Sequence, residues 1–207
     1  MSEQTWKTAI TKIEPNKVAV RGYPIDQLMG RISFGEMVYL ILKGDLPTPE
    51  VGKLMEAILV CSVDHSATPP SALAARTVAS GGAPLTTAIA AGIMAINRYH
   101  GGAIEGCMKV LKEIVAYKHE KGLDTETAAR EKMAEFRAKK MRVPGYGHRV
   151  HTNDPRTQRL YALAEELGVA GEYMEMAQAQ LAKETRRNYE IDRLRKDLEA
   201  MEKRWKK

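Results

Sequence analysis

Apolar and polar positions first alternate and then settle into helical spacing. Thr8-Ala-Ile-Thr-Lys-Ile alternates, Pro15-Asn16-Lys17 has turn chemistry, and Val18-Ala-Val-Arg alternates again. This predicts a short hairpin at the N-terminal end. Tyr23-Pro24-Ile25-Asp26 predicts the start of a short helix. Ser33 and Glu36 have capping-box spacing, Met37, Leu40 and Ile41 form an apolar face behind them, and Gly44 provides a stop. Thr48-Pro49-Glu50 opens the next helix, with proline where its missing N–H is harmless and Leu54, Ile58 and Leu59 as a buried stripe.

From Pro69 to Ser80, and again from Leu85 to Ile96, the chain is small, alanine-rich and almost without charge. A helix apolar on every side belongs in a core or at a subunit interface. This pair therefore predicts the centre of a helical sandwich, placed across a dimer axis. Asn97-Arg-Tyr-His100-Gly-Gly-Ala breaks the pattern, and helices are expected from about Ala103 to Lys118, Asp124 to Lys139 and Pro155 to Leu167, the last closed by Gly168. Beyond Lys183, Ile191, Leu194, Leu198, Met201 and Trp205 recur at spacings of three and four among charged residues, including the pairs Asp192/Lys196 and Glu199/Lys203. That seam predicts an amphipathic helix which needs a surface to cover it.

Composition narrows the class. Hydrophobic residues make up 44%, charged residues 28% and aromatic residues 6% of the chain, a balance of a soluble protein that favours helix over strand. No apolar run approaches the roughly 20 residues of a membrane span, and Met-Ser-Glu-Gln-Thr-Trp-Lys-Thr lacks the apolar centre of a signal peptide. A cytoplasmic setting is expected, with Cys61 and Cys107 as buried, reduced thiols. The net charge of +6 is concentrated toward the C-terminus, without the interleaved aromatics of a nucleic-acid binder. It suits a phosphate-bearing small molecule or simple solvation of exposed helices.

The chemistry concentrates in Val143-Pro-Gly-Tyr-Gly-His-Arg-Val-His-Thr-Asn-Asp-Pro-Arg156. Gly145 and Gly147 permit backbone angles closed to other residues and let a ligand approach. His148 can exchange a proton near neutral pH, and Arg156 can grip a carboxylate through two parallel hydrogen bonds. His148 and His151 could suggest a metal pair, but no cysteine or carboxylate cluster completes it, so no metal is expected.

Three histidine motifs occur in order. They are Asp64-His65-Ser-Ala-Thr-Pro-Pro-Ser71-Ala-Leu-Ala-Ala-Arg76, Tyr99-His100-Gly101-Gly102-Ala103, and Pro144-Gly-Tyr-Gly-His148 with Asp154-Pro-Arg156. With Arg21-Gly22-Tyr23-Pro24-Ile25 and Tyr39-Leu-Ile-Leu-Lys-Gly-Asp-Leu-Pro-Thr48, they resemble the citrate synthase superfamily over roughly residues 17 to 180. The similarity is greatest to its short citryl-CoA lyase branch.

The resemblance implies a mainly α, two-lobed helical fold with a small N-terminal β-hairpin. Residues 1–100 would form the large lobe and dimer interface, 101–182 a small lobe with the coenzyme A loop, and 183–207 a charged amphipathic helix. It further implies cleavage or formation of the carbon–carbon bond between acetyl-CoA and oxaloacetate through citryl-CoA. His100 and His148 would be catalytic, the first meeting charge on the thioester oxygen, the second handling the carbonyl or hydroxyl of the dicarboxylate. His65, Arg156 and Arg76 would bind substrate, and Val143, Pro144, Gly145, Tyr146, Gly147 and Arg149 would line the coenzyme A site. The thioester would be a substrate, with no permanently bound cofactor, and the protein a homodimer or larger homo-oligomer contacting neither nucleic acid nor membrane.

Taken alone, these residues allow plainer readings. Arg76 suits a structural salt bridge, His100 a helix-end hydrogen bond, and His119 a solvated position on a charged helix. The family's base, an aspartate in an Asn-Val-Asp-Gly-like segment, and its later arginines have no match, and Asp192 is the nearest candidate. The alternative reading is therefore a catalytically impaired acyl-CoA or dicarboxylate binder, or a subunit of a larger enzyme.

Overall fold

A computed structural model describes residues 8–141, 143–146, 153–179 and 201. It divides into two compact units, one of residues 1–65 and 155–170, the other of 66–154 and 171–207. The lobes expected from sequence are bounded differently, at 100/101.

In the first unit, β1 (Thr11–Glu14), β2 (Lys17–Val20) and β3 (Tyr23–Pro24) form an antiparallel sheet in that order. The hairpin register pairs Thr11 with Val20 and Glu14 with Lys17, and Asn16 takes the left-handed angle that closes the turn, with φ 60°. Where the sequence predicts a helix from Tyr23, the first two residues instead pair with Val20 and Ala19. Helix α1 (Ile25–Leu28) begins after Pro24.

Helix α2 (Phe34–Lys43) starts with the predicted capping box and ends at Gly44 with φ 97°. Helix α3 (Pro49–Ser62) is capped by Thr48, whose hydroxyl accepts from Val51 N–H. The two meet at small residues, since a Cβ on Gly35 would lie 2.8 Å from the Glu56 backbone nitrogen and one on Gly52 would lie 2.6 Å from Glu36 Cγ. Glu56 accepts from Gly35 N–H at 2.6 Å, pairing an otherwise orphaned donor of the first turn. Leu40 is fully buried, whereas Ile58 of the expected stripe is 40% exposed.

The second unit contains α4 (Pro70–Ser80), α5 (Leu85–Met94), α6 (Ala103–Lys121) and α7 (Thr125–Ala138). Helix α8 (Pro155–Glu166) belongs to the first unit, packed on α3, and residues 172–179 form α9 in the second. The core of this unit joins Ile114 and Val115 of α6, Ala128, Ala129, Met133 and Phe136 of α7, and Met176 and Ala179 of α9. Each large apolar side chain fully buried there contributes about 1.5–3 kcal/mol.

Lys132 keeps its charge at the edge of this core by pairing with Glu113 at 2.7 Å and Glu135 at 3.1 Å. Its ammonium lies 5.2 Å from the centre of the Tyr117 ring. His119, expected to be solvated, is exposed but lies 2.7 Å from Glu172 of α9. Helices α4 and α5 approach closely at Gly92, where a Cβ would sit 3.1 Å from the Ser71 carbonyl oxygen and 3.3 Å from Ala75 Cβ. Yet the chain's own core does not absorb α5, because Leu85, Ile89, Ile93 and Met94 all remain exposed. Cys61 and Cys107 are free thiols, half-buried rather than fully buried.

Candidate functional site

A tight turn places the central histidine. Asn97 and His100 exchange two backbone hydrogen bonds of 2.7 and 2.9 Å, and the Asn97 carbonyl also accepts from Gly102 N–H at 3.1 Å. The Asn97 side chain accepts from Arg98 N–H, which tightens the turn further. Gly101 has φ 93°, and a Cβ there would come within 2.7 Å of Ile96. A Cβ on Gly102 would lie 2.9 Å from the Arg98 backbone. The two glycines following the histidine are therefore required by the path of the chain. Arg98 and Tyr99 occupy the tip, with the guanidinium carbon 5.4 Å from the ring centre.

The His100 ring is half-buried, and its Nε2 lies 2.9 Å from the Ser71 hydroxyl in the first turn of α4. When that hydroxyl donates to Nε2, the neutral ring carries its proton on Nδ1 and offers one defined N–H. Such a fixed donor is what a developing oxyanion requires. Ser71 was not among the residues singled out for chemistry from sequence. It lies inside a quoted motif, but its partner is 29 positions away across a helix pair, and no local spacing announces that contact.

The segment from Val143 to Tyr146 packs against the same N-terminal end of α6. Val143 joins the rim of the core. Pro144 fills the space left by Gly106, whose missing Cβ would be 2.9 Å from the proline ring. Gly145 has φ 83° and lies over Cys107, so that a Cβ there would be 3.0 Å from Cys107 Cβ. Only glycine meets both conditions. The Tyr146 hydroxyl donates to the Ala177 carbonyl of α9 at 3.3 Å. Burial pushes the Cys107 thiol above its usual value, with a hydrogen bond to Tyr146 acting in the opposite sense. The structure thus brings the His100 turn and four of the expected coenzyme-loop residues to one helix end. Gly147, His148, Arg149 and His151 lie outside the described residues.

The expected substrate-binding residues are dispersed over both units. His65 follows α3 as an exposed residue, and Arg156 is half-buried in the first turn of α8, both in the first unit. Arg76 is exposed on α4, where its guanidinium donates to the Ala67 carbonyl at 3.3 Å rather than forming the ion pair considered from sequence. It lines an open depression of about 500 Å³ with Leu73, Thr77, Ala79 and Ser80. The charged C-terminal seam, Asp192 included, lies outside the described residues apart from Met201, which is helical and 58% exposed. No helix among the described residues is long and apolar enough to cross a membrane.

Comparison with known proteins gives concordant matches. A family model described as citrate synthase, C-terminal domain, matches residues 2–53 and 48–200. Peroxisomal citrate synthase 1 of Arabidopsis thaliana is 30% identical over 153 residues, which are 70% of this chain and 30% of that protein. The chain thus spans under a third of the length of the plant relative it matches. Among solved structures, citryl-CoA lyase from Hydrogenobacter thermophilus superposes with a TM-score of 0.77 at 40% identity, covering 89% of this chain and 70% of that one. An ATP citrate lyase of Methanosaeta concilii, solved with (3S)-citryl-CoA, has the same TM-score of 0.77 at 20% identity over 90% of this chain and 30% of that one. That last likeness is one of fold.

Proposed function

We propose, from the premise that this chain belongs to the citrate synthase family, that it cleaves or forms the carbon–carbon bond between acetyl-CoA and oxaloacetate by way of citryl-CoA. The similarity to a citryl-CoA lyase at 40% identity favours the cleavage direction. The observation that carries the reading is the His100–Ser71 hydrogen bond of 2.9 Å, beside a glycine-dependent loop at the same end of α6.

In cleavage, His148 takes the proton of the citryl hydroxyl. The carbonyl of oxaloacetate forms as the adjacent carbon–carbon bond breaks, and that electron pair moves into the thioester to give an enolate. The His100 N–H meets the charge on the enolate oxygen, and protonation of the terminal carbon yields acetyl-CoA. His65, Arg156 and Arg76 hold carboxylates, with the guanidinium groups suited to paired hydrogen bonds. Val143, Pro144, Gly145, Tyr146, Gly147 and Arg149 line the coenzyme A site, and the imidazoles of His65, His100 and His148 face one cleft. Formation runs the same steps in reverse.

The working organisation has residues 1–100 as a large lobe, 101–182 as a small one, and a homodimer formed through the α4–α5 face in the cytoplasm. The seam beyond Lys183 docks on its own protein or on a partner subunit.

Incubation with citryl-CoA, following oxaloacetate and acetyl-CoA, tests the assignment. The expected result is cleavage that the double variant His100→Ala, His148→Ala reduces by about 10² to 10⁴-fold. A parent rate no higher than that of the double variant rejects catalysis. A second reading, a coenzyme A or dicarboxylate binder, is motivated by the unmatched aspartate segment. Calorimetry showing binding of coenzyme A and oxaloacetate without turnover would select it.

A further inference from the structure

The Tyr146 side chain does not line an open site. It points into the second unit, where three groups from different parts of the chain meet at one hydroxyl. Its O–H donates to the Ala177 carbonyl of α9 at 3.3 Å, and the same hydroxyl makes a side-chain hydrogen bond with the Cys107 thiol of α6. A hydroxyl has one proton and two lone pairs. With the proton committed to Ala177, the contact with Cys107 is an S–H donating to the Tyr146 oxygen. Burial keeps that thiol protonated around neutral pH, so the donor is present.

We propose that the Tyr146 hydroxyl is a positioning latch for the coenzyme loop, accepting from Cys107 and donating to Ala177, so that the 143–146 turn is fastened to α6 and α9 together. The role of this loop in binding coenzyme A rests on the function proposed above. Two further contacts show that the loop is seated at this helix end. Pro144 occupies the gap at Gly106, and Gly145, at φ 83°, lies against Cys107 with no room for a Cβ. Neither fixes the turn on its far side, where only the Tyr146 hydroxyl reaches across to the carbonyl of Ala177. Helix α9 is itself anchored, since Met176 is fully buried and Glu172 pairs with His119. The latch thus ties the loop to a rigid element rather than to another loop. Hydrogen bonds in series strengthen one another, so loss of either end weakens the other.

The test uses the full chain carrying Cys61→Ala, which leaves Cys107 as its one thiol. Tyr146→Phe keeps the ring and removes the hydroxyl. Expected are a rise of about threefold to tenfold in KM for citryl-CoA and in Kd for coenzyme A, the range given by loss of one hydrogen bond, and kcat within about twofold of the parent. Amide hydrogen exchange across residues 143–146 is expected to quicken by a similar factor, while α5 exchanges as before. Cys107→Ala should shift KM in the same direction, and Cys107→Ser, which restores an acidic hydrogen, should return it toward the parent value.

Parent-like KM, Kd and loop exchange in Tyr146→Phe would overturn the latch. So would a Cys107→Ser variant as impaired as Cys107→Ala. If the parent neither cleaves citryl-CoA nor binds coenzyme A, the functional assignment falls and the exchange measurement alone decides the latch.

Discussion

Replacing Ser71 with alanine removes the one hydroxyl against His100 Nε2 while leaving the imidazole in place. The contact is 2.9 Å long and half-buried, so it is neither fully screened by water nor isolated from it. A neutral hydrogen bond of this kind is worth about 0.5–1.5 kcal/mol. If it acts by holding the ring and fixing its tautomer, the loss falls on the transition state, because the donor is required where charge develops. At about 1.4 kcal/mol per decade, kcat should fall about twofold to tenfold, with KM for citryl-CoA changing by less than about twofold. His100→Ala removes the donor itself and should cost about 10² or more. The double variant should be no slower than His100→Ala alone, since Ser71 acts only through the histidine. Steady-state release of oxaloacetate from citryl-CoA measures all three, with Ser71→Thr as the variant that keeps a hydroxyl. A Ser71→Ala enzyme with parental kcat, or a double variant slower than His100→Ala by the full Ser71 factor, would refute the reasoning.

Gly92→Val should lower stability by about 1–3 kcal/mol through overpacking, read as a reduced urea midpoint, because its branched carbon would press on the Ser71 carbonyl at 3.1 Å and on Ala75. Unchanged stability would mean that α4 and α5 are not so closely packed. Side-chain hydrogen bonds from Lys139 and then Lys132 hold the Glu135 carboxyl below its ordinary 4.5. Its contribution is present above that value and lost as pH falls through the lowered folded value, so Glu135→Gln should flatten the acid limb of a plot of Tm against pH below about pH 5. The group is exposed and the effect small, and an identical acid limb in the two proteins would dismiss it. Ile93 is 62% exposed on α5. Ile93→Glu should therefore lower the sedimentation mass of a homodimer formed through this face, and a parent that sediments as a monomer would exclude the dimer.

What the sequence made legible is what short-range chemistry decides. The capping box at Ser33, the proline start after Thr48, the stop at Gly44 and the aspartate cap at Asp124 each act within four residues, and all appear where the pattern placed them. The Gly-Gly pair after His100 was readable for the same reason, since a turn and its glycines are neighbours. Tyr23-Pro24 was misread because its extended form comes from pairing with β2, which no helix-start signal records. Ser71 and His100 are 29 residues apart, Tyr146 and Ala177 are 31 apart, and His119 and Glu172 are 53 apart. Contacts of that kind are set by how helices pack, and packing leaves only a weak trace in local periodicity.

Helix α5 is the instructive case, because its pattern was read correctly and the single chain still does not satisfy it. Burying the exposed parts of Leu85, Ile89, Ile93 and Met94 would be worth about 4–8 kcal/mol at 1.5–3 kcal/mol per side chain. Association costs are of order 4–15 kcal/mol, so these four side chains together cannot sustain a tight dimer by themselves. A stable pair needs a wider surface than α5 provides. Leu73 of the adjoining α4 and Ile96 just beyond α5, 48% and 56% exposed, are the nearest apolar groups to widen it.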